Sequence, residues 1–127
     1  LAWRKLRKSK TAHGAHWERF AERYLTRKGL RLLCRNYRCK GGEIDLVMGA
    51  ADQTIVFIEV RYRRSSDFGT ALETVGSTKQ ARIRRAANHY IQCQSSPNSS
   101  NSYRFDVIGI SGSAQAQPAP ATKTAAS

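Results

Sequence analysis

Two apolar stretches of this chain carry acids where acids are expensive. Residues 43–48 read EIDLVM and residues 54–62 read TIVFIEVRY, with a polar turn at 49–53 between them. Both have the β-branched and aromatic make-up of short strands. Side chains alternate across a strand, so Glu43 and Asp45 share one face, and Glu59 and Arg61 share another. The opposite side of the first strand, Ile44, Leu46 and Met48, is apolar. Burying an unpaired carboxylate is costly, so acids in such strands require a positive partner. If the strands are neighbours, Asp45 and Glu59 converge at one edge of the sheet. Two close carboxylates raise one pKa or recruit a cation. A hard ion suits them: Mg²⁺ (or Mn²⁺) takes oxygen ligands and typically uses one or two carboxylates, with the Val60 carbonyl a further candidate. Such an ion polarises a phosphoryl oxygen and acidifies a bound water, which is the chemistry of phosphodiester hydrolysis.

The charge of the chain points to the same class of substrate. Among 127 residues, 22 Lys+Arg stand against 9 Asp+Glu, a formal net charge of +13. A polyanion is the expected partner, nucleic acid before an acidic membrane surface. No apolar run approaches the roughly 18 residues needed to cross a bilayer. The basic start LAWRKLRKSK is followed by no apolar signal region. Cys34, Cys39 and Cys93 are odd in number and lack a CxxC spacing, so reduced, buried thiols and a cytoplasmic location are expected.

The length suits one domain. Residues 1–12 form an expected flexible basic arm, residues 13–110 the domain, and residues 111–127, dominated by Ala, Pro, Ser and Gln, a disordered tail. Trp17, Phe20, Ala21, Tyr24 and Leu25 recur at helical spacing within about 12–28, and Gly29 stops that helix. Glu18 sits at the border of the apolar stripe, where an acid can lean into a cleft. Residues 30–38 read as the first strand, 43–48 as the second and 54–62 as a third, central one. A polar loop follows, then a helix capped at Ser77 or Thr78, with Ile83, Ala86, Ala87, Tyr90 and Ile91 along one side and Gln80 near it. Residues 103–110 form the last strand. Three strands can make a meander, and the second helix a crossover to a parallel fourth.

These blocks also carry a resemblance. Asp45 followed by Glu59-Val60-Arg61, in helix–strand–strand–strand–helix–strand order, resembles the restriction-endonuclease-like nucleases with their D…(D/E)-x-K signature. More closely, Glu18-x-x-Ala21-x-x-Tyr24-Leu25, Arg35-Asn36-Tyr37-Arg38, Gly42-Glu43-Ile44-Asp45-Leu46, Val56-Phe57-Ile58-Glu59-Val60-Arg61, Lys79-Gln80-x-Arg82 and Arg104-Phe105-Asp106-Val107 resemble the YraN family, small bacterial proteins related to Holliday-junction resolvases. The resemblance implies an α/β fold of order α-β-β-β-α-β with a mixed four- to five-stranded sheet flanked by helices. It implies that Asp45 and Glu59 bind the metal, that Glu18 helps, and that branched DNA is the substrate of a homodimer. Arg61 stands where the signature has Lys. A guanidinium positions water or stabilises charge but does not act as a general base. Gln80 is expected to orient water or phosphate.

Blander readings stand beside these. Asp45 and Glu59 can each pair with a nearby Arg, such as Arg61 or Arg38, and Glu43 can be exposed or bind a loop amide. Asp106 reads as a structural ion pair with Arg104 or a helix residue. Arg63, Arg64, Lys79, Arg82 and Arg85 form either a solvated surface or one that contacts phosphates. The readings for the whole chain are a metal-dependent nuclease, a non-catalytic nucleic-acid-binding module of the same fold, and a protein- or membrane-surface-binding protein.

Overall fold

The computed structural model describes residues 12–63, 75–94, 101–111 and 119–126. Arg64, the rest of its loop to residue 74, and nearly all of the expected basic arm lie outside the described residues. In chain order the elements are α1 (Ala12–Arg27), β1 (Arg31–Cys39), β2 (Gly42–Gly49), β3 (Ile55–Arg63), α2 (Ser77–Gln94), β4 (Tyr103–Ser111) and β5 (Ala119–Ala126). Through β4 this is the expected order.

Local chemistry sets the boundaries. α1 ends where Gly29 takes a φ of 98°; the Gly29 and Leu30 N–H groups donate to the Thr26 and Leu25 carbonyls. Gly41, with a φ of 80°, turns β1 into β2. The β2–β3 turn is held by Asp52, whose Oδ1 accepts the Thr54 N–H at 3.0 Å.

The sheet has strand order β1-β2-β3-β4-β5. β1, β2 and β3 pair antiparallel, β3 and β4 pair parallel across the α2 crossover, and β5 returns antiparallel to β4. The two helices lie on opposite faces, because alternate strand residues separate into two clusters. Trp17, Ala21 and Leu25 of α1 pack on Leu46, Met48, Val56, Ile58, Ile108 and Ile110. Ile83, Ala86, Ala87 and Tyr90 of α2 pack on Ile44, Val47 and Phe57. Ile44 thus leaves the face it was expected to share with Leu46 and Met48. The β1 stretch opposite this break contains Asn36, at a φ of 52°.

Two further expectations change. Ala119–Ala126 was expected to be disordered, but it pairs with β4 from Ser111↔Ala119 to Arg104↔Ala126. A segment of Ala, Thr and Pro has no apolar alternation to announce a strand; main-chain pairing along β4 defines it. The cysteines are free as expected, but Cys34 and Cys39 are half-buried and Cys93 is exposed. Among the described residues no helix is long and apolar enough to cross a membrane.

Candidate functional site

The β2–β3 ladder runs from Gly49↔Ile55 to Leu46↔Ile58 and stops. The next residue on each strand is an acid, Asp45 on β2 and Glu59 on β3. Beyond this point β2 stays paired with β1 as far as Gly42, and β3 stays paired with β4 as far as Arg63. The sheet therefore forks, and both carboxylates sit at the crotch. Parting strands leave main-chain donors without a ladder partner, and buried N–H groups need one. Asp45 fills that role: its Oδ2 accepts the Val60 N–H at 2.9 Å.

Asp45 and Glu59 are each only 4% exposed. Burial, then the neighbouring charge of Asp45, push the Glu59 carboxyl up to about 8, against the opposing pull of the Lys79 ammonium. The ammonium Nζ of Lys79 lies 3.1 Å from Glu59 Oε1. Among the described residues Glu59 Oε2 is buried and meets no hydrogen-bond donor. Lys79 also reaches Glu43 Oε1 at 3.9 Å, and Arg38 Nε lies 3.4 Å from Glu43 Oε2. A continuous chain of charge results: Arg38, Glu43, Lys79, Glu59 and Asp45. While Glu59 holds its proton the two cations balance the other carboxylates, and loss of that proton leaves the chain of charge one negative charge in excess.

That donor set fits a hard divalent cation. Two buried carboxylates and an orphaned carboxylate oxygen supply oxygen ligands with excess negative charge, which is what Mg²⁺ or Mn²⁺ takes up. Among the described residues no group of three His, Cys, Asp or Glu side chains is gathered for a metal. Asp45 and Glu59 are the two acids of this fork that could hold such an ion, a number that would suit one retaining several waters. Glu18 is buried, 8% exposed, on α1, which covers the opposite face of the sheet from α2. Its neighbour Trp17 stacks on Tyr62 at 4.2 Å and an interplanar angle of 9°, tying α1 to β3 past the fork.

The other expected site residues separate. The cation paired with Glu59 is Lys79 rather than Arg61 or Arg38. Arg61 is half-buried on β3, two residues past Glu59 and so on the same face. Gln80, expected on the inward side of its helix, is exposed, and its Nε2 donates to the Val75 carbonyl at 2.6 Å. The helical period explains both results. At 100° per residue Gln80 lies about 70° from the centre of the Ile83–Ala86–Ala87–Tyr90 stripe, whereas Lys79 lies about 30° from it. Lys79, assigned to an outer phosphate surface, thus extends the buried stripe into the fork; its place at i−4 from Ile83 was the available signal. Arg82 and Arg85 are exposed along the same helix, and the Arg85 side chain lies over Gly41. Arg63 closes β3. Arg104 and Asp106 form the expected ion pair, Nε to Oδ1 at 3.3 Å.

A family model described as "Uncharacterised protein family UPF0102" matches residues 17–110, which include the whole forked site. A UPF0102 protein of Aeromonas hydrophila subsp. hydrophila is 44% identical over 87% of this chain and 84% of its own length. Its counterparts in Nitrosococcus oceani and Pseudomonas putida are 47% and 48% identical, over 76% and 83% of this chain and 77% and 84% of theirs.

Proposed function

Because this chain belongs to the uncharacterised protein family UPF0102, the YraN family of the sequence resemblance, we propose that it is a metal-dependent nuclease acting on structured or branched DNA. The observation that carries this reading is the buried Asp45–Glu59 pair at the strand fork, with Glu59 Oε2 left without a donor. Asp45 and Glu59 would hold Mg²⁺ or Mn²⁺, which when bound polarises a phosphoryl oxygen and acidifies a water.

The remaining work falls to the chain itself. Exposed Arg82 and Arg85 of α2 supply phosphate contacts that bring the backbone of the nucleic acid toward an acidic site. The Val60 N–H fixes the Asp45 carboxylate. Two copies of the chain would present two such sites, one for each of two symmetric strands of a junction. Free cysteines suit a reducing cytoplasm.

A second reading, a nucleic-acid-binding module that does not cut, is favoured by one residue: Arg61 occupies the position where the nuclease signature has Lys. Cleavage of end-labelled four-way, flapped and linear DNA with Mg²⁺ or Mn²⁺ separates the two. The nuclease reading expects cutting by wild type that drops at least about 100-fold in Asp45→Ala and Glu59→Ala. Binding without cutting in all three supports the module, and equal cutting in all three defeats the nuclease reading.

A further inference from the structure

The position two residues after Glu59 that would carry an ammonium carries the Arg61 guanidinium, yet an ammonium is present. It comes from another element. Lys79 projects from the first turn of α2 into the fork, with its Nζ 3.1 Å from Glu59 Oε1 and 3.9 Å from Glu43 Oε1. The ammonium is close to Glu59 and forms a longer ion pair with Glu43, and its side chain remains 30% exposed.

Its placement is built into the packing. A Cβ at Gly42 would come within 2.4 Å of the Arg82 carbonyl oxygen and 2.8 Å of the Ala86 nitrogen. Only a glycine lets the backbone of α2 press this closely on the start of β2, the strand that carries Glu43 and Asp45. The bond from Gln80 Nε2 to the Val75 carbonyl fixes the beginning of the helix beside it. Lys79 is thus held by the helix–strand contact rather than by a loop.

We propose that Lys79, and not Arg61, is the working cation of this site. In the metal-free protein it is the counter-ion of Glu59. When Glu59 is engaged by a divalent cation, the Lys79 ammonium is released and donates to a non-bridging oxygen of the scissile phosphate. The second role rests on the hydrolysis reading above; the first does not. In the reaction the oxygen of water bonds to phosphorus as one bridging P–O bond breaks. One water proton passes to solvent and the departing oxygen takes one up, with no change of oxidation state. Lys79 remains protonated and acts as a charged donor where negative charge accumulates. Arg61 lies on β3 two residues beyond Glu59 and is half-buried.

The test uses the full chain, stripped of metal, as wild type, Lys79→Met, Lys79→Arg and Arg61→Met. Mn²⁺ affinity is measured by calorimetry, and cleavage on a labelled four-way junction. Removing a positive charge from beside the carboxylates is expected to tighten Mn²⁺ about ten-fold in Lys79→Met. Lys79→Arg, which keeps the charge, stays near wild type and controls for folding. Lys79→Met is also expected to slow cleavage at least about 100-fold, while Arg61→Met leaves Mn²⁺ affinity unchanged and weakens DNA binding. Wild-type Mn²⁺ affinity in Lys79→Met overturns the proposal, as does tightening in Arg61→Met instead. A wild-type chain whose Mn²⁺ affinity responds to Lys79 but which cuts no DNA refutes hydrolysis and leaves Lys79 as the counter-ion of a metal site.

Discussion

Replacing Glu59 by Gln should make the metal-free protein more stable at neutral and alkaline pH. Glu59 holds a proton up to a pH of about 8, because burial and then the neighbouring charge of Asp45 disfavour its ionised form; in the unfolded chain its carboxyl titrates at its ordinary 4.5. Folding therefore takes up a proton between those two values. A raised carboxyl pKa contributes stability that is fully present below pH 4.5 and is lost as pH rises through 8. At 1.36 kcal/mol per unit, the loss from pH 4.5 to pH 7 is on the order of 3 kcal/mol. That is a large part of the 5–15 kcal/mol typical of a whole domain. Glutamine keeps the shape and cannot ionise, so the variant should show little of this slope. The assay is urea unfolding in chelator at pH 5, 6, 7 and 8, followed by the fluorescence of buried Trp17, which α1 packs against the sheet. Subtracting the variant curve from the wild-type curve removes other titrating groups. A difference that is flat, or that rises in favour of wild type with pH, would refute the reasoning.

Two other outcomes follow from the same geometry. Gly42→Ala should destabilise the fold by about 1–3 kcal/mol, since the new methyl group meets α2 backbone rather than a side chain that can move; urea unfolding checks this, and a neutral result would mean α2 is free to shift. Binding of wild type to labelled duplex DNA without metal should weaken steeply with salt, and Arg82→Ala or Arg85→Ala should each flatten the log–log slope by about one unit. An unchanged slope in both would remove α2 from the interface.

The order of elements was readable because its periods are unmixed: Trp17, Ala21 and Leu25 repeat as a helix, and Val56, Ile58 and Glu59 sit in a run too apolar and β-branched for anything but a central strand. Asp45 and Glu59 stood out because an acid in such a run has few explanations. What the pattern lacked was the relation between elements. Glu43 looked dispensable from its own strand, yet it lies between Arg38 of β1 and Lys79 of α2, neither adjacent in sequence. The pairing of Lys79 with Glu59 was not legible because a long side chain on a buried stripe looks like a surface residue until the end of the helix is set over a gap in the sheet. Gln80 was misplaced for the converse reason. The last strand escaped because Ala119–Ala126 is defined by main-chain pairing, which leaves no mark on side-chain hydropathy.

The parting of β2 and β3 has a consequence for how this family can change. The ladder bonds that hold the two strands all lie on one side of Leu46↔Ile58, and the acids lie on the other. The rungs that join the two strands and the acids at the fork therefore occupy separate stretches of the same strands. Residues 45 and 59 can be exchanged, or their cation moved from strand to helix, without breaking a rung of the β2–β3 ladder. A lineage built on this scaffold is free to change the acids at the fork while the sheet persists, so a shared architecture among its members does not oblige them to share a reaction.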